Sequence, residues 1–177
     1  MELQNCIETR RSVRAFNDKP ISDEALSQLV DAAKYAPSWK NTQVTRYYAV
    51  KSPDVKAKVV SALNERNHPA ALSAPILIVC TVVKNHSGYT RDGEFDSAKG
   101  KGWQMYDCGL SNMLFTLKAN ELGLGSVIMG LYDEEKLSEA INVPDTEEVT
   151  SVIALGYYDE KPAMPPRKEV DVLLKLL

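Results

Sequence analysis

The chain has 177 residues, 44% of them hydrophobic and 25% charged, with a formal net charge of −3. That length suits a single domain, residues 1–177, with a full core, and the mild acidity argues against nucleic acid or a polybasic membrane anchor as the main business of the protein. The longest apolar run, APILIVCTVV from Ala74, is too short to span a bilayer, and MELQNCIETRR lacks the apolar stretch of a secretion signal.

Leu3, Cys6 and Ile7 fall at i, i+3, i+4 spacing and predict a short first helix along one face. RRSVR (10–14) follows at its end. Cations suit the C-terminus of a helix dipole, but three arginines in five residues exceed that need. Ser22 is an N-cap, Asp23 and Glu24 load the first turn, and Leu26, Leu29, Val30 and Ala33 form an apolar stripe that Pro37 ends. RYYAVK (46–51) reads as a strand. Ser52 before Pro53 predicts a helix that runs through Val55, Val59 and Leu63.

ILIVCTVV (76–83) is apolar without alternation, the pattern of a central strand covered on both faces. Lys84 to Gly102 is polar, has glycines at 88, 93, 100 and 102, and reads as a mobile loop or lid. Trp103, Tyr106, Leu110, Met113, Leu114 and Leu117 predict one face of a long helix closed by Gly123. SVIM (126–129) is a short strand, Asp133 caps a further helix, and EVTSVIALGYY (148–158) is the last strand. The tail ends in VDVLLKLL, which would be wasteful in water and predicts packing on another surface, a second subunit among them.

Several chemistries lack their motifs. GLGSVIMG follows a helix and enters a strand, the reverse of the dinucleotide fingerprint, and no phosphate loop of the GxxxxGK[ST] type occurs. His68 and His86 are isolated, read as solvated loop residues, and predict no metal site. Cys6, Cys80 and Cys108 are far apart with no CxxC. Their odd count fits a reducing, cytoplasmic setting, and Cys80 and Cys108 read as inert buried thiols. Asp107 reads as a pocket carboxylate or a helix-surface one, with neither favoured. A chain without an evident nucleophile or metal site leaves the chemistry to a cofactor.

The arginines suit an anion. A phosphate monoester carries roughly −1.5 to −2 charges, and guanidinium forks match its oxygens. Arg10, Arg11 and Ser12, backed by Arg14, suffice to neutralise one such group. Arg167, behind Pro165 and Pro166, is a second source from the other end of the chain. In APSWKNTQ (36–43), Asn41 and Gln43 each offer a donor and an acceptor, which suits a ring edge of alternating N–H and C=O groups. From this octapeptide alone, turn chemistry is the simpler account.

Taken together, IETRRSVRAFNDKPIS, AKYAPSWKNTQ, GLGSVIMG and ALGYYDEKPAMPPRK occur in the order and spacing of the nitroreductase family, and the chain resembles it over nearly its whole length. The resemblance implies an α+β fold, nitroreductase-like, with a central mixed, mainly antiparallel sheet flanked by helices. It also implies an intertwined homodimer with an exchanged C-terminal tail and FMN at the interface.

On that resemblance, Arg10, Arg11, Ser12 and Arg167 hold the FMN phosphate and ribityl chain. Arg14 approaches the pyrimidine side of the ring. Pro37, Ser38, Asn41 and Gln43 come from the other subunit. Backbone groups at Met129 and Gly130 face the central ring, and Asn67 contacts it. Two positions depart from the family pattern: Met129 stands where larger members often have glutamate, and Pro165 where a second basic residue often lies, with Lys168 as its substitute.

The implied activity is FMN-dependent, NAD(P)H-driven reduction of nitroaromatics, quinones or similar small acceptors by a ping-pong cycle, with no essential side-chain acid or base. Alternatives are another flavin reaction on the same fold, such as flavin reduction or reductive dehalogenation, and a phosphate-binding module without catalysis.

Overall fold

The computed structural model describes residues 2–177. In chain order it contains α1 (Leu3–Thr9), α2 (Asp23–Ala33), β1 (Thr45–Val50), α3 (Pro53–Ala62), α4 (His68–Ser73), β2 (Ile76–Val83), α5 (Gly102–Glu121), β3 (Gly125–Met129), α6 (Glu134–Ile141), β4 (Glu147–Gly156) and α7 (Val170–Leu173). Short 3₁₀ turns at Trp39–Asn41 and Glu65–Asn67 lie between them. The class is α+β.

The strands form one sheet in the order β1-β2-β4-β3, and every neighbouring pair is antiparallel. The expected mixed sheet is therefore wholly antiparallel among the described residues. The parallel component is reduced to one isolated bridge, Ser12 with Ser126. The connection through α6 leaves and re-enters at one end of the sheet, which sets β3 and β4 in opposite directions.

β2 divides the interior in two. Leu77 and Val79 pack with Val59, Ala71 and Leu137 from α3, α4 and α6. Ile76, Ile78, Cys80 and Val82 pack on the other face with Leu29, Phe115 and Ala119 from α2 and α5. A run buried on both faces must be apolar at every position, which is why ILIVCTVV does not alternate. The register shifts between Cys80 and Thr81. The extra residue on β4, Thr150, donates its hydroxyl to Cys80 O at 3.1 Å, so the bulge leaves no idle hydroxyl.

Local signals place most helix ends. Ser22 accepts from Ala25 N at 3.1 Å, Asp133 accepts from Lys136 N at 3.2 Å, and Gly123 takes φ +76° just past α5. Ser52 precedes Pro53 as expected, though its side chain makes no cap bond. Other expectations are corrected. α3 ends at Ala62, and α4 follows a 3₁₀ turn. His68 opens α4 half-buried, with Nε2 3.0 Å from Leu63 O, whereas His86 is exposed. In α1 Cys6 is buried, but Leu3 and Ile7 face outward.

α5 presents the opposite face to the one its apolar stripe predicts. Tyr106 and Met113 are 60% and 41% exposed, while Gln104, Asp107, Asn112 and Asn120 point inward. These inward side chains make hydrogen bonds, which makes their burial tolerable, although Asn112 Oδ1 is buried without a partner. Gln104 Oε1 accepts from Asn85 N at 2.7 Å, Asn112 donates to Ser151 Oγ at 3.3 Å, and Asn120 donates to Cys6 O at 3.0 Å.

The 84–101 region is folded back on itself rather than open as a lid. Ser87 is fully buried, Asp96 N donates to Gly88 O at 2.8 Å, and Trp103 Nε1 donates to Ser97 Oγ at 2.7 Å. Its glycines at 88, 93 and 100 take positive φ and make these reversals possible. Beyond β4 the tail runs extended, and Val170, Leu173, Leu174 and Leu176 are exposed on this chain.

Candidate active site

RRSVR is placed by β3. Val13 N donates to Ser126 O at 3.0 Å, and the Val13 side chain turns into the core at 2% exposure. Alternation then sends the residues on either side, Ser12 and Arg14, away from it. Gly125 makes the close approach possible: a Cβ there would meet Val13 Cγ2 and Tyr158 Cδ1 at 2.7 Å.

Arg10, Arg11, Ser12 and Arg14 line one cavity of about 380 Å³ together with Pro162, Ala163, Met164, Pro165 and Arg167. The two ends of the chain meet here. Four guanidinium groups line the cavity and no carboxylate does, and among the described residues none of the four makes an ion pair. Arg11 instead donates to Glu8 O at 2.6 Å, Arg14 to Ser12 O at 3.3 Å, and Arg167 to Pro165 O at 3.2 Å. The Nε atoms of Arg10 and Arg11 are buried without any partner. Unpaired buried donors and uncompensated positive charge in one concavity are the chemistry of an anion site. Lys168 does not line it.

The second cluster lies elsewhere. Ser38 and Gln43 line a cavity of about 390 Å³ with Val44, Tyr47, Asp107 and Ser111, while Pro37 and Asn41 are exposed beside it. Lys40, Asn41 and Gln43 have φ of 47°, 56° and 48°. Each such non-glycine residue costs about 1–2 kcal/mol, asparagine less. The turn closes on itself through Gln43 N to Ser38 Oγ at 3.0 Å, Asn41 N to Ser38 O at 3.0 Å and Gln43 Nε2 to Asn41 Oδ1 at 3.1 Å.

The third group is split. Gly130 lines a shallow cavity of about 570 Å³ with Asn64, Tyr132 and Lys136. Met129 is 3% exposed and packs in the core, so this position offers its backbone rather than its side chain. Asn67 lies at the start of α4 and does not line this cavity; Asn64, three residues earlier, does, with its N donating to Leu131 O at 3.0 Å. Asn64 therefore shares a cavity with Gly130. Ser126 and Gly130, at the two ends of β3, are roughly 13 Å apart along an extended strand, so a ligand touching both the arginine cavity and Gly130 has to be about that long.

Asn64 escaped sequence reading and carries no periodic signal. Asp107, open between a pocket and a surface position, belongs to a polar set, Gln104, Asp107, Ser111 and Asn112, at helical spacing. Asp107 is 2% exposed, not a surface carboxylate, and accepts from Trp39 N at 2.9 Å and Ser87 Oγ at 2.5 Å. Burial, with Cys108 nearby, pushes the Cys80 thiol up, and burial, with Asp107 nearby, pushes the Cys108 thiol up, which removes both as thiolate nucleophiles. No group of three or more His, Cys, Asp or Glu among the described residues is arranged to hold a metal ion, and no helix is long and apolar enough to cross a membrane.

Known proteins share this architecture. The model of the Nitroreductase family matches residues 7–157. A relative in Archaeoglobus fulgidus, with the provisional name NADH dehydrogenase/NAD(P)H nitroreductase, is 34% identical over 165 residues, 90% of this chain and 88% of the relative. A solved oxidoreductase containing FMN superposes with a TM-score of 0.76 at 27% identity, over 93% of this chain and 81% of that one. A nitroreductase family protein from Streptococcus pneumoniae superposes with a TM-score of 0.87 over 98% and 99% of the two chains, at 19% identity.

Proposed function

The chain belongs to the Nitroreductase family, and from that premise we propose that it is an FMN-dependent oxidoreductase whose flavin site is completed by a second copy of the chain. The observation that carries the reading is the arginine cavity, with its unpaired buried Nε donors and no carboxylate. Its donor set fits a phosphate monoester. Arg10, Arg11, Ser12 and Arg167 hold the phosphate and the start of the ribityl chain. Arg14 lies on the ring side, and the backbone at Met129 and Gly130, with Asn64 beside it, meets the ring from the far end of β3.

Bound FMN supplies the redox chemistry, taking reducing equivalents from NADH or NADPH and passing them to a small acceptor in alternate half-reactions. The chain's residues bind and orient. A guanidinium at Arg14 stabilises negative charge on the adjacent ring edge; one preorganised donor of this kind is worth about 3 kcal/mol. No side chain of the chain is required as a proton donor, since solvent reaches the shallow cavity at Gly130.

Pro37, Ser38, Asn41 and Gln43 do not share a cavity with the arginines in one chain, which supports their reaching the flavin of a partner copy. The outward apolar side chains of α1 and α5 and the exposed leucines of the tail supply a surface for that partner. The chain works as one domain, residues 1–177, in the cytoplasm, where its three free, buried cysteines stay reduced.

The test is reconstitution with FMN. The purified protein should be yellow, and its flavin absorbance should bleach on addition of NADH or NADPH and return with a nitroaromatic, a quinone or a halogenated phenol. The acceptor that restores colour fastest identifies the reaction. Protein that stays colourless after reconstitution removes the proposal.

A further inference from the structure

Asp107 is a carboxyl group that the core does not need. It is 2% exposed and makes no ion pair among the described residues. Burying such a group without a counter-ion is unfavourable, and an apolar side chain would fill the same place. What it does is join separate parts of the chain. Its Oδ2 accepts from Trp39 N at 2.9 Å and from Ser87 Oγ at 2.5 Å, so one oxygen of α5 ties down both the 36–43 turn and the 84–101 region.

Two further contacts run beside it. Lys40 pairs with Asp96, and the Trp39 and Trp103 rings lie 4.7 Å apart. The 36–43 turn needs this anchorage. Its left-handed residues persist only where the surroundings over-determine them. The bonds through Ser38 and Asn41 close the turn on itself, but they do not attach it to the rest of the fold.

We propose that Asp107 is a positioning residue: through the Trp39 N–H and the Ser87 hydroxyl it latches the Ser38–Gln43 turn and the 84–101 region into one unit. The orientation of Ser38, Asn41 and Gln43 is then coupled to the loop on the other side of the latch. The consequence for flavin binding rests on the function proposed above; the latch itself does not.

Two readouts separate these. Near-ultraviolet circular dichroism of the protein without FMN reports the Trp39–Trp103 pair, and a fluorescence titration reports FMN affinity. Asp107→Ala should alter the tryptophan bands and raise the FMN Kd about tenfold, the effect on the turn of losing the Trp39 N–H bond to a carboxylate. Asp107→Asn, which keeps an acceptor oxygen, should largely restore both. Ser87→Ala should keep the tryptophan bands and raise the acceptor KM more than it lowers kcat.

Wild-type tryptophan bands and FMN affinity in Asp107→Ala would overturn the latch, as would an Asp107→Asn variant that folds yet is as impaired as alanine. If Asp107→Ala does not fold, Ser87→Ala decides: an unchanged acceptor KM counts against the latch, a raised one for it. If the wild type takes up no FMN, the proposed function fails while the tryptophan bands still decide the latch.

Discussion

Arginine suits the 10–14 and 167 positions for a reason of geometry. The guanidinium groups of Arg11, Arg14 and Arg167 are held by backbone carbonyls, such as Glu8 O for Arg11 and Pro165 O for Arg167, rather than by a carboxylate. Carbonyls orient the fork without neutralising it, so the charge stays available to a ligand. The double variant Arg10→Ala/Arg167→Ala should therefore weaken FMN at least ~100-fold, given about 1.5–3 kcal/mol for each hydrogen bond to a charged group. Riboflavin, which has no phosphate, should bind both proteins alike in the same fluorescence titration. Equal loss for both ligands would relocate the phosphate away from this cavity.

β3 and α5 carry the placement of these side chains. The RRSVR segment runs beside β3 because Gly125 leaves no side chain in the way; a methyl group would stand 2.7 Å from Val13 and Tyr158. Gly125→Ala should cost about 1–3 kcal/mol of stability, in the range of overpacked cores, readable as a lower urea midpoint. It should also weaken FMN binding by displacing the arginines; unchanged affinity would mean that the segment is not positioned by this contact. In α5 the periodicity of the sequence defines two faces but not which one is inner. Apolar Tyr106 and Met113 turn outward because the inward asparagines and glutamine find partners on β4, α1 and the 84–101 region.

The exposed tail and the outward apolar stripe belong to the same question of assembly. Val170, Leu173, Leu174 and Leu176 find no cover within their own chain. If they pack on a partner, residues 169–177 contribute to dimerisation without touching the arginine cavity. A chain lacking 169–177 keeps Arg167 and should shift from dimer toward monomer in sedimentation, with weaker FMN binding as the partner's Ser38–Gln43 turn is withdrawn. A deletion variant that stays dimeric at the same concentration would exclude an exchanged tail.

The segments that act through local chemistry were legible in the residues alone: the helix caps at Ser22 and Asp133, the doubly buried strand ILIVCTVV, and the arginine cluster with its late counterpart. Each depends on neighbours a few positions away or on a motif in fixed order. Which face of α5 is buried, why Asp107 is inside, that Asn64 adjoins Gly130, and how the 84–101 region folds back were decided by the tertiary structure. These are matters of which distant group supplies a hydrogen bond or excludes water, and spacing along the chain carries no information about that.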